Sequence, residues 1–145
     1  MPSRTIHTLA ELDTCADEIL SSLIQRRSVN VLALHGDLGA GKTAFTQLLA
    51  KKLGVQEHVV SPTFMIMRMY DSNHKTFTKL VHIDAYRIED IREIEVLKIP
   101  DYFEEKNNLV CIEWPERMSA LVPEEALKVS LVLNGDGSRT ITYDD

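Results

Sequence analysis

The feature that most constrains the fold of this chain is a glycine-rich loop, residues 36–43, between a short apolar run and a helical pattern. Its sequence matches G-x-x-x-x-G-K-[ST], the pattern of the P-loop. The glycines let the backbone curl so that successive N–H groups point at phosphate oxygens, and the following helix adds the positive end of its dipole. An accidental match in a chain of this length has odds of about one in 200. The loop therefore predicts a binding site for a purine nucleoside triphosphate, formed by Gly36, Asp37, Leu38, Gly39, Ala40, Gly41, Lys42 and Thr43.

The last two residues of the loop have separate predicted roles. Lys42 would reach the β- and γ-phosphates of the nucleotide, and the Thr43 hydroxyl would bind Mg²⁺. A site of this kind also needs an acid near the magnesium, and two mostly apolar runs end in one, at Asp84 and at Glu113. The carboxyl ends of parallel strands meet at the edge of a sheet where ligands bind, so both acids are candidates. Their spacing does not divide the roles between them.

Three further residues are candidates by position. Thr63 follows the helix after the loop, where nucleotide-dependent proteins carry a switch segment, although an ordinary turn before a strand also fits. Arg87 and Arg117 follow the two acidic strand ends, where a cation would stabilise transition-state charge, whereas solvated surface arginine is the commoner fate. Position alone leaves these alternatives open.

The alternation of strands and helices predicts an α/β fold. We expect a P-loop NTPase-like, mainly parallel sheet flanked by helices, with an antiparallel hairpin at its C-terminal end. Without repeats or Gly/Ser linkers, residues 1–145 are expected to form a single domain. Helices are predicted over residues 9–26, from the loop to Gly54, and over 89–97 and 115–121. Strands are predicted over residues 29–34, 64–70, 79–84, 109–113, 127–133 and 138–142, and residues 101–108 remain an unassigned insert.

Charge and composition narrow the classes of function. The net charge of -6 argues against tight, electrostatically driven binding to a nucleic-acid backbone. No apolar run is long enough to span a membrane, and the N-terminus lacks the apolar core of a secretory signal. Cys15 and Cys111 are expected to be reduced and buried. We therefore expect a cytoplasmic protein with no membrane partner.

Four segments together resemble the bacterial TsaE family. They are residues 36–43, then Ser-Pro-Thr-Phe at 61–64, Asp-Ala-Tyr-Arg at 84–87 and Glu-Trp-Pro-Glu at 113–116. TsaE is the small ATPase of tRNA threonylcarbamoyladenosine biosynthesis. The resemblance implies hydrolysis of ATP with Mg²⁺, in support of a TsaB–TsaD complex that modifies the adenosine beside the tRNA anticodon. Contact with tRNA is then expected only through that complex.

The resemblance also assigns residue roles. Lys42 and Thr43 keep their phosphate and magnesium roles, Glu113 joins Thr43 in holding magnesium, and Asp84 becomes a residue needed for hydrolysis. Thr63 becomes the switch-like threonine. Trp114 and Arg117 would lie near the nucleotide, and the start of the first helix near Thr8 would approach the adenine. The one visible departure, Ala44 in place of a second threonine after Thr43, is expected to have little effect.

Three functions are compatible with the sequence. The first is a weak ATPase that powers or resets a partner complex. The second is a small P-loop kinase, which needs a lid to exclude water, and the sequence offers little room for one. The third is a non-catalytic, nucleotide-dependent binding module. The choice of ATP over GTP follows from the resemblance. In addition, the sequence has no Asn-Lys-x-Asp segment, the motif that would indicate guanine binding.

Overall fold

The computed structural model describes residues 3–26, 28–62 and 65–143 of the chain. Within these ranges the strands are β1 (Ser3–Ile6), β2 (Val31–His35), β3 (Met67–Asp71), β4 (Lys79–Asp84), β5 (Asn108–Glu113), β6 (Leu127–Leu133) and β7 (Arg139–Tyr143). The α-helices are α1 (Leu9–Arg26), α2 (Lys42–Leu53), α3 (Ile91–Val96) and α4 (Ile99–Glu104), and a short 3-10 helix spans Pro115–Met118. The predicted alternation of strands and helices is confirmed.

The strands form one mixed sheet in the order β1-β7-β6-β2-β5-β4-β3. The central strands β6, β2, β5 and β4 are parallel, whereas β1, β7 and β3 each pair antiparallel with their neighbours. The prediction of a mainly parallel sheet therefore holds only for the centre. The short turn between β3 and β4 explains part of the difference, because parallel neighbours need a long crossover connection. The β6–β7 hairpin was predicted from its turn residues.

Helices cover both faces of the sheet. On one face α1 and α2 bury Leu23 and Phe45 against the strands. On the other face α3, α4 and the 3-10 helix pack through residues such as Ile94 and Phe103. Because side chains alternate along a strand, Leu80 and the other even-numbered residues of β4 face α1 and α2, as do the odd-numbered residues of β5. The carboxylates that end β4 and β5 thus project on the face that α2 covers.

The helix boundaries follow from their end residues. The Glu11 N–H donates to the Thr8 hydroxyl at 3.2 Å, which caps the start of α1. Gly54 ends α2 in a left-handed conformation, as predicted. Lys98, with φ 54°, separates α3 from α4. Residues 101–108 were predicted as an unassigned insert, but α4 covers the first four of them, with Pro100 in its first turn, where the missing N–H has no consequence.

Three segments differ from their predicted form. Strand β1 was not predicted, because only Ile6 of its four residues is buried and the segment has no apolar pattern. In the predicted strand 64–70, residue 64 lies outside the described residues, and Met65 and Ile66 form a turn whose N–H groups donate to the Pro62 carbonyl. The predicted helix over 115–121 is only a short 3-10 helix.

Two remaining expectations concern membrane-spanning segments and the two cysteines. Across residues 3–26, 28–62 and 65–143, no helix is both long and apolar enough to cross a lipid bilayer. Cys15 and Cys111 are both buried and free, which confirms the expectation of two reduced, buried thiols.

Candidate functional site

A cleft of about 410 Å³ lies where β2, β4 and β5 end, above the first turn of α2. It gathers most of the residues that the sequence analysis proposed for nucleotide, magnesium and hydrolysis. Those that line it are Asp37, Leu38, Gly39, Ala40, Gly41, Lys42, Thr43, Asp84, Glu113 and Trp114. The unpredicted members of the lining include Ser61 and Tyr86. The structure therefore brings segments far apart in the sequence to one edge of the sheet.

The glycine-rich loop has a backbone conformation that residues with a Cβ rarely adopt. Gly36 has φ 153°, and a Cβ at this position would lie 2.6 Å from the Leu131 carbonyl oxygen. Gly41 has φ 107° and caps α2 without any side-chain hydrogen bond. With no side chain over the first turn of α2, the helix presents its N-terminal N–H groups to the cleft. These groups and the helix dipole make the loop suited to an anion.

Lys42 holds its ammonium group inside this loop. The side chain is only 5% exposed, its Nζ donates to the Gly36 carbonyl oxygen, and it lies 3.6 Å from the centre of the Trp114 ring. Burial lowers the pKa of Lys42 below 10.5, while surrounding carboxylates, Glu113 foremost, act in the opposite direction. A partly desolvated cation enclosed by the loop attracts phosphate more strongly than an ammonium in water.

Thr43 and Glu113 meet directly across the cleft. The Thr43 hydroxyl lies 3.1 Å from Oε1 and 3.2 Å from Oε2 of Glu113, which is 3% exposed. A hydroxyl and a carboxylate are the hard oxygen ligands that Mg²⁺ accepts, and its sites usually use one or two carboxylates together with substrate phosphates. The described residues contain no group of three or more His, Cys, Asp or Glu side chains that would hold a metal ion. The pair fits magnesium bound jointly by protein and phosphate.

His82 belongs to this cluster and was not predicted as a site residue. Its Nε2 lies 2.5 Å from Oε2 of Glu113, and the ring is fully buried. The signal in the sequence is a polar residue inside an apolar strand, two positions before Asp84 and hence on the same face.

Asp84 is held by different partners from those of Glu113. It is 5% exposed, and its Oδ1 accepts a hydrogen bond from the Tyr86 N–H at 3.0 Å. Its Oδ2 accepts from the Ser61 hydroxyl at 3.2 Å. This carboxylate is oriented by the chain that follows β4 and by Ser61, in the segment that follows α2. Thr63 itself lies outside the described residues.

Aromatic rings form the wall opposite the loop. The rings of Tyr86 and Trp114 lie with their centres 5.0 Å apart. Trp114 has φ 59°, a left-handed conformation that turns the chain from β5 into the 3-10 helix. The guanidinium of Arg117 lies 5.5 Å from the Tyr86 ring centre and is not part of the cleft lining, whereas Arg87 is. Of the two candidate arginines, only Arg87 reaches the cleft.

A second, smaller cavity of about 220 Å³ adjoins the loop on its other side. Thr8, the residue expected near the adenine, lines it, and Gly41 and Ala44 line both cavities. Its wall includes Arg139, whose Nε donates to the Ala40 carbonyl at 3.0 Å and whose Nη2 donates to the Gly39 carbonyl at 3.3 Å. Nothing in the sequence near Arg139 indicates this contact, because it joins the C-terminal hairpin to the loop.

Comparisons with known proteins identify the family of this chain. Residues 6–141 match the family described as Threonylcarbamoyl adenosine biosynthesis protein TsaE. A Bacillus subtilis protein named tRNA threonylcarbamoyladenosine biosynthesis protein TsaE is 41% identical over 79% of this chain and 68% of its own length. Proteins of the same name from Haemophilus influenzae and Treponema pallidum are 36% and 38% identical, over 79% and 78% of this chain and 69% and 80% of theirs.

The fold is also similar to a solved structure. The crystal structure of Bacillus subtilis YdiB superimposes with a TM-score of 0.70 at 27% identity, covering 98% of this chain and 83% of that one. The family match spans most of the sequence, and the family is the one that the four motif segments resemble. The chain belongs to the TsaE family.

Proposed function

We propose that this chain binds ATP with Mg²⁺ in the cleft of the glycine-rich loop, hydrolyses it slowly, and so supports threonylcarbamoyl modification of tRNA adenosine. The observation that carries the proposal is the contact between Thr43 and Glu113 at 3.1 and 3.2 Å, beside the buried ammonium of Lys42. This contact unites a magnesium-binding pair with a phosphate-binding loop. The fold we propose is accordingly that of a P-loop NTPase.

The loop supplies the phosphate-binding groups. The N–H groups at the start of α2 and the Lys42 ammonium converge on one side of the cleft, so a triphosphate there meets both partial and full positive charge. Phosphate oxygens would replace the Gly36 carbonyl as the partner of Lys42. Charge-assisted hydrogen bonds of this kind contribute about 1.5–3 kcal/mol each.

Thr43 and Glu113 are the residues that would hold magnesium. Both of their side chains end in oxygen, and burial of Glu113 keeps its carboxylate away from bulk water. Bound Mg²⁺ would supply neutralisation of charge on the phosphate oxygens. Asp84, fixed by the Tyr86 N–H and the Ser61 hydroxyl, ends the strand beside that of Glu113 and would orient a water for attack. Thr63 is proposed as the switch residue that senses the terminal phosphate.

Slow turnover and stimulation by partners follow from the charges at the cleft. Besides Lys42, Arg87 is the one cation among its described lining residues, and Arg117 packs against the Tyr86 ring without lining the cleft. Arginine supplied by a partner raises phosphoryl transfer by several orders of magnitude in related chemistry. The relatives' names refer to threonylcarbamoyladenosine biosynthesis, and we propose TsaB and TsaD as the partners of this chain, with tRNA reached only through them.

We assign the adenine base and the ribose of the nucleotide to the second cavity. It shares Gly41 and Ala44 with the cleft and includes Thr8, so a nucleotide bound in the cleft would extend into it past the first turn of α2. Trp114, by contrast, lies against Lys42 on the phosphate side. Trp114 is therefore proposed to contact the phosphate end of the nucleotide.

The test has a binding step and a cellular step. Calorimetric titration with Mg-ATP should give a binding heat that Lys42→Ala abolishes, and phosphate release should rise when TsaB and TsaD are added. In cells lacking the chain, mass spectrometry of tRNA nucleosides should show loss of threonylcarbamoyladenosine, restored by the wild-type chain and not by Lys42→Ala. Flat heats with Mg-ATP, or unchanged modification in those cells, would refute the proposal. Phosphoryl transfer to a small acceptor faster than to water would indicate a kinase instead, and binding without any hydrolysis would indicate a non-catalytic module.

A further inference from the structure

We propose that His82 is a positioning residue for Glu113, fixing one carboxylate oxygen so that the other is presented, with the Thr43 hydroxyl, to a divalent cation. The inference rests on the proposed function, since it concerns the same magnesium site. His82 lies behind that site: it is fully buried on β4 and is not part of the cleft lining. It therefore acts through Glu113 and does not touch nucleotide.

The position of His82 needs an explanation because the interior of β4 is otherwise apolar. Its flanking residues Val81 and Ile83 are buried hydrophobic side chains, and the residue paired with it on β5 is Cys111. A polar ring in such surroundings is costly unless it is hydrogen-bonded. Within the described residues its ring contacts the Glu113 carboxylate, at 2.5 Å, and this contact is what compensates its burial.

The two ring nitrogens of His82 have different surroundings. Nε2 meets Oε2 of Glu113, whereas Nδ1 is the one buried side-chain N or O atom, within the described residues, that has no hydrogen-bond partner. An ionised carboxylate only accepts hydrogen bonds, so the contact between Nε2 and Oε2 requires a proton on Nε2. The proton therefore belongs on Nε2, and the ring donates to Glu113.

This hydrogen bond gives the two carboxylate oxygens of Glu113 different contacts. Oε2 accepts from His82 and from Thr43, while Oε1 lies 3.1 Å from the Thr43 hydroxyl. Because Oε2 is fixed from behind, the carboxylate cannot rotate away from Thr43, and Oε1 stays on the side of the cleft. Hydrogen bonds that orient a metal ligand in this way change metal affinity by about 10–100-fold when removed.

Substitutions at His82 test the inference through metal binding. His82→Leu and His82→Met remove the donor and keep an apolar volume, whereas His82→Gln keeps an N–H donor of similar reach. Leu80→Val, two residues earlier on the same face of β4, is the packing control. The readouts are the Mn²⁺ concentration that half-saturates the protein–ATP complex, followed by electron paramagnetic resonance, and the affinity for ATP without metal.

We expect the donor-lacking variants to raise the half-saturating Mn²⁺ concentration by about 10–100-fold and His82→Gln to recover most of that loss. The affinity for metal-free ATP should stay within about twofold of wild type, and Leu80→Val should bind Mn²⁺ normally. A folded donor-lacking variant with a wild-type Mn²⁺ titration would overturn the inference.

Glu113→Ala separates failure of this inference from failure of the proposed function. If Glu113→Ala weakens Mn²⁺ binding and the His82 variants do not, only the role of His82 is lost. If ATP binding by the wild-type protein does not respond to Mn²⁺ at all, the proposed magnesium site fails with it. An independent readout on the wild-type protein is the ¹⁵N–¹H correlation of its imidazoles: a His82 proton on Nδ1 rather than Nε2 would also overturn the inference.

Discussion

Asp84 and Glu113 stand directly opposite each other in the parallel register of β4 and β5. The two carboxylates therefore end neighbouring strands at the same edge, yet their hydrogen bonds differ. Glu113 contacts the Thr43 hydroxyl, on the first turn of α2, and Asp84 contacts the Ser61 hydroxyl, in the segment beyond that helix. The sequence could not divide their roles, and these contacts support the division proposed above, with Glu113 beside Thr43 at the magnesium site and Asp84 beside Ser61.

The first prediction follows from this division. Asp84→Ala should leave the affinity for Mg-ATP within about threefold of wild type but lower phosphate release by about 10²–10⁴-fold, the usual contribution of a positioned acid or base. Single-turnover hydrolysis with partners present measures the rate, and calorimetry measures the affinity. Glu113→Ala is the matched control, because it should instead weaken the response to metal. A normal rate in Asp84→Ala would remove the catalytic role of this residue.

The site could be predicted from the sequence wherever its signal is local. The loop, the strand ends at Asp84 and Glu113 and the stop at Gly54 each depend on a few adjacent residues whose types set backbone geometry. His82 and Arg139 were missed because what identifies them is a contact with a residue remote in sequence. No local sequence pattern distinguishes a buried histidine that hydrogen-bonds a carboxylate from one that only packs in the core.

The same reasoning explains the errors in the fold. Strand β1 pairs with β7, so that Ser3 lies opposite Thr142 near the other end of the chain. Such a pairing adds a polar edge strand that has no pattern of its own. Residues 101–108 were left unassigned because Pro100 ends one helix pattern and begins another, and a proline is compatible with both.

The second prediction concerns the charge of Lys42. Burial lowers its pKa below 10.5, and bound phosphate would raise it again. Between the pKa of the free protein and that of the complex, binding therefore takes up a proton, and ATP affinity should fall as pH rises through this alkaline window. The fall cannot exceed about tenfold per pH unit for one proton. Fluorescence of Trp114, the one tryptophan of the chain, measures the affinity, since Lys42 lies against its ring.

Lys42→Met is the control for this pH dependence. It removes the titrating group but keeps an apolar stem, so any ATP binding that remains detectable by fluorescence at high ATP concentration should be independent of pH over the same window. A wild-type affinity that stays constant up to pH 10.5, or a variant that retains the same slope, would contradict the assignment.

The third prediction uses the close approach of two backbone segments. A Cβ at Gly36 would lie 2.6 Å from the Leu131 carbonyl oxygen, and φ 153° is unfavourable for any L side chain. Gly36→Ala should therefore lower the free energy of unfolding by at least about 1–3 kcal/mol and weaken ATP binding, because the loop must shift. Gly135→Ala is the matched control: no atom lies within 4 Å of its added Cβ, and the change should stay within about 0.5 kcal/mol. Equal urea unfolding curves for the two variants would contradict the prediction.

The fourth prediction concerns the contact between Arg139 and the loop. Its guanidinium bridges the Gly39 and Ala40 carbonyls, which fixes the orientation of the peptide groups that follow them. Arg139→Ala should lower ATP affinity by about tenfold, with a modest effect on the free energy of unfolding, because loop order is lost in the free state. Arg139→Lys should rescue little, since a single ammonium does not reproduce the two-pronged contact. Wild-type affinity in Arg139→Ala would show that the loop holds its form unaided.

The fifth prediction uses the buried cysteines as reporters. Burial raises the thiol pKa of both Cys15 and Cys111, and no exposed thiol is present in the described residues. The native protein should therefore react slowly with a disulfide reagent at pH 8, and two thiols should react at once in denaturant.

In Cys15→Ser, the labelling of Cys111 then reports opening of the sheet centre. ATP with Mg²⁺ at 100 times its dissociation constant should slow that labelling by about 100-fold, the linkage expected for a ligand that binds only the folded state. Fast labelling of Cys111, or a labelling rate that saturating Mg-ATP does not change, would contradict this prediction. Either result would show that the reagent reaches the thiol without unfolding of the ATP site.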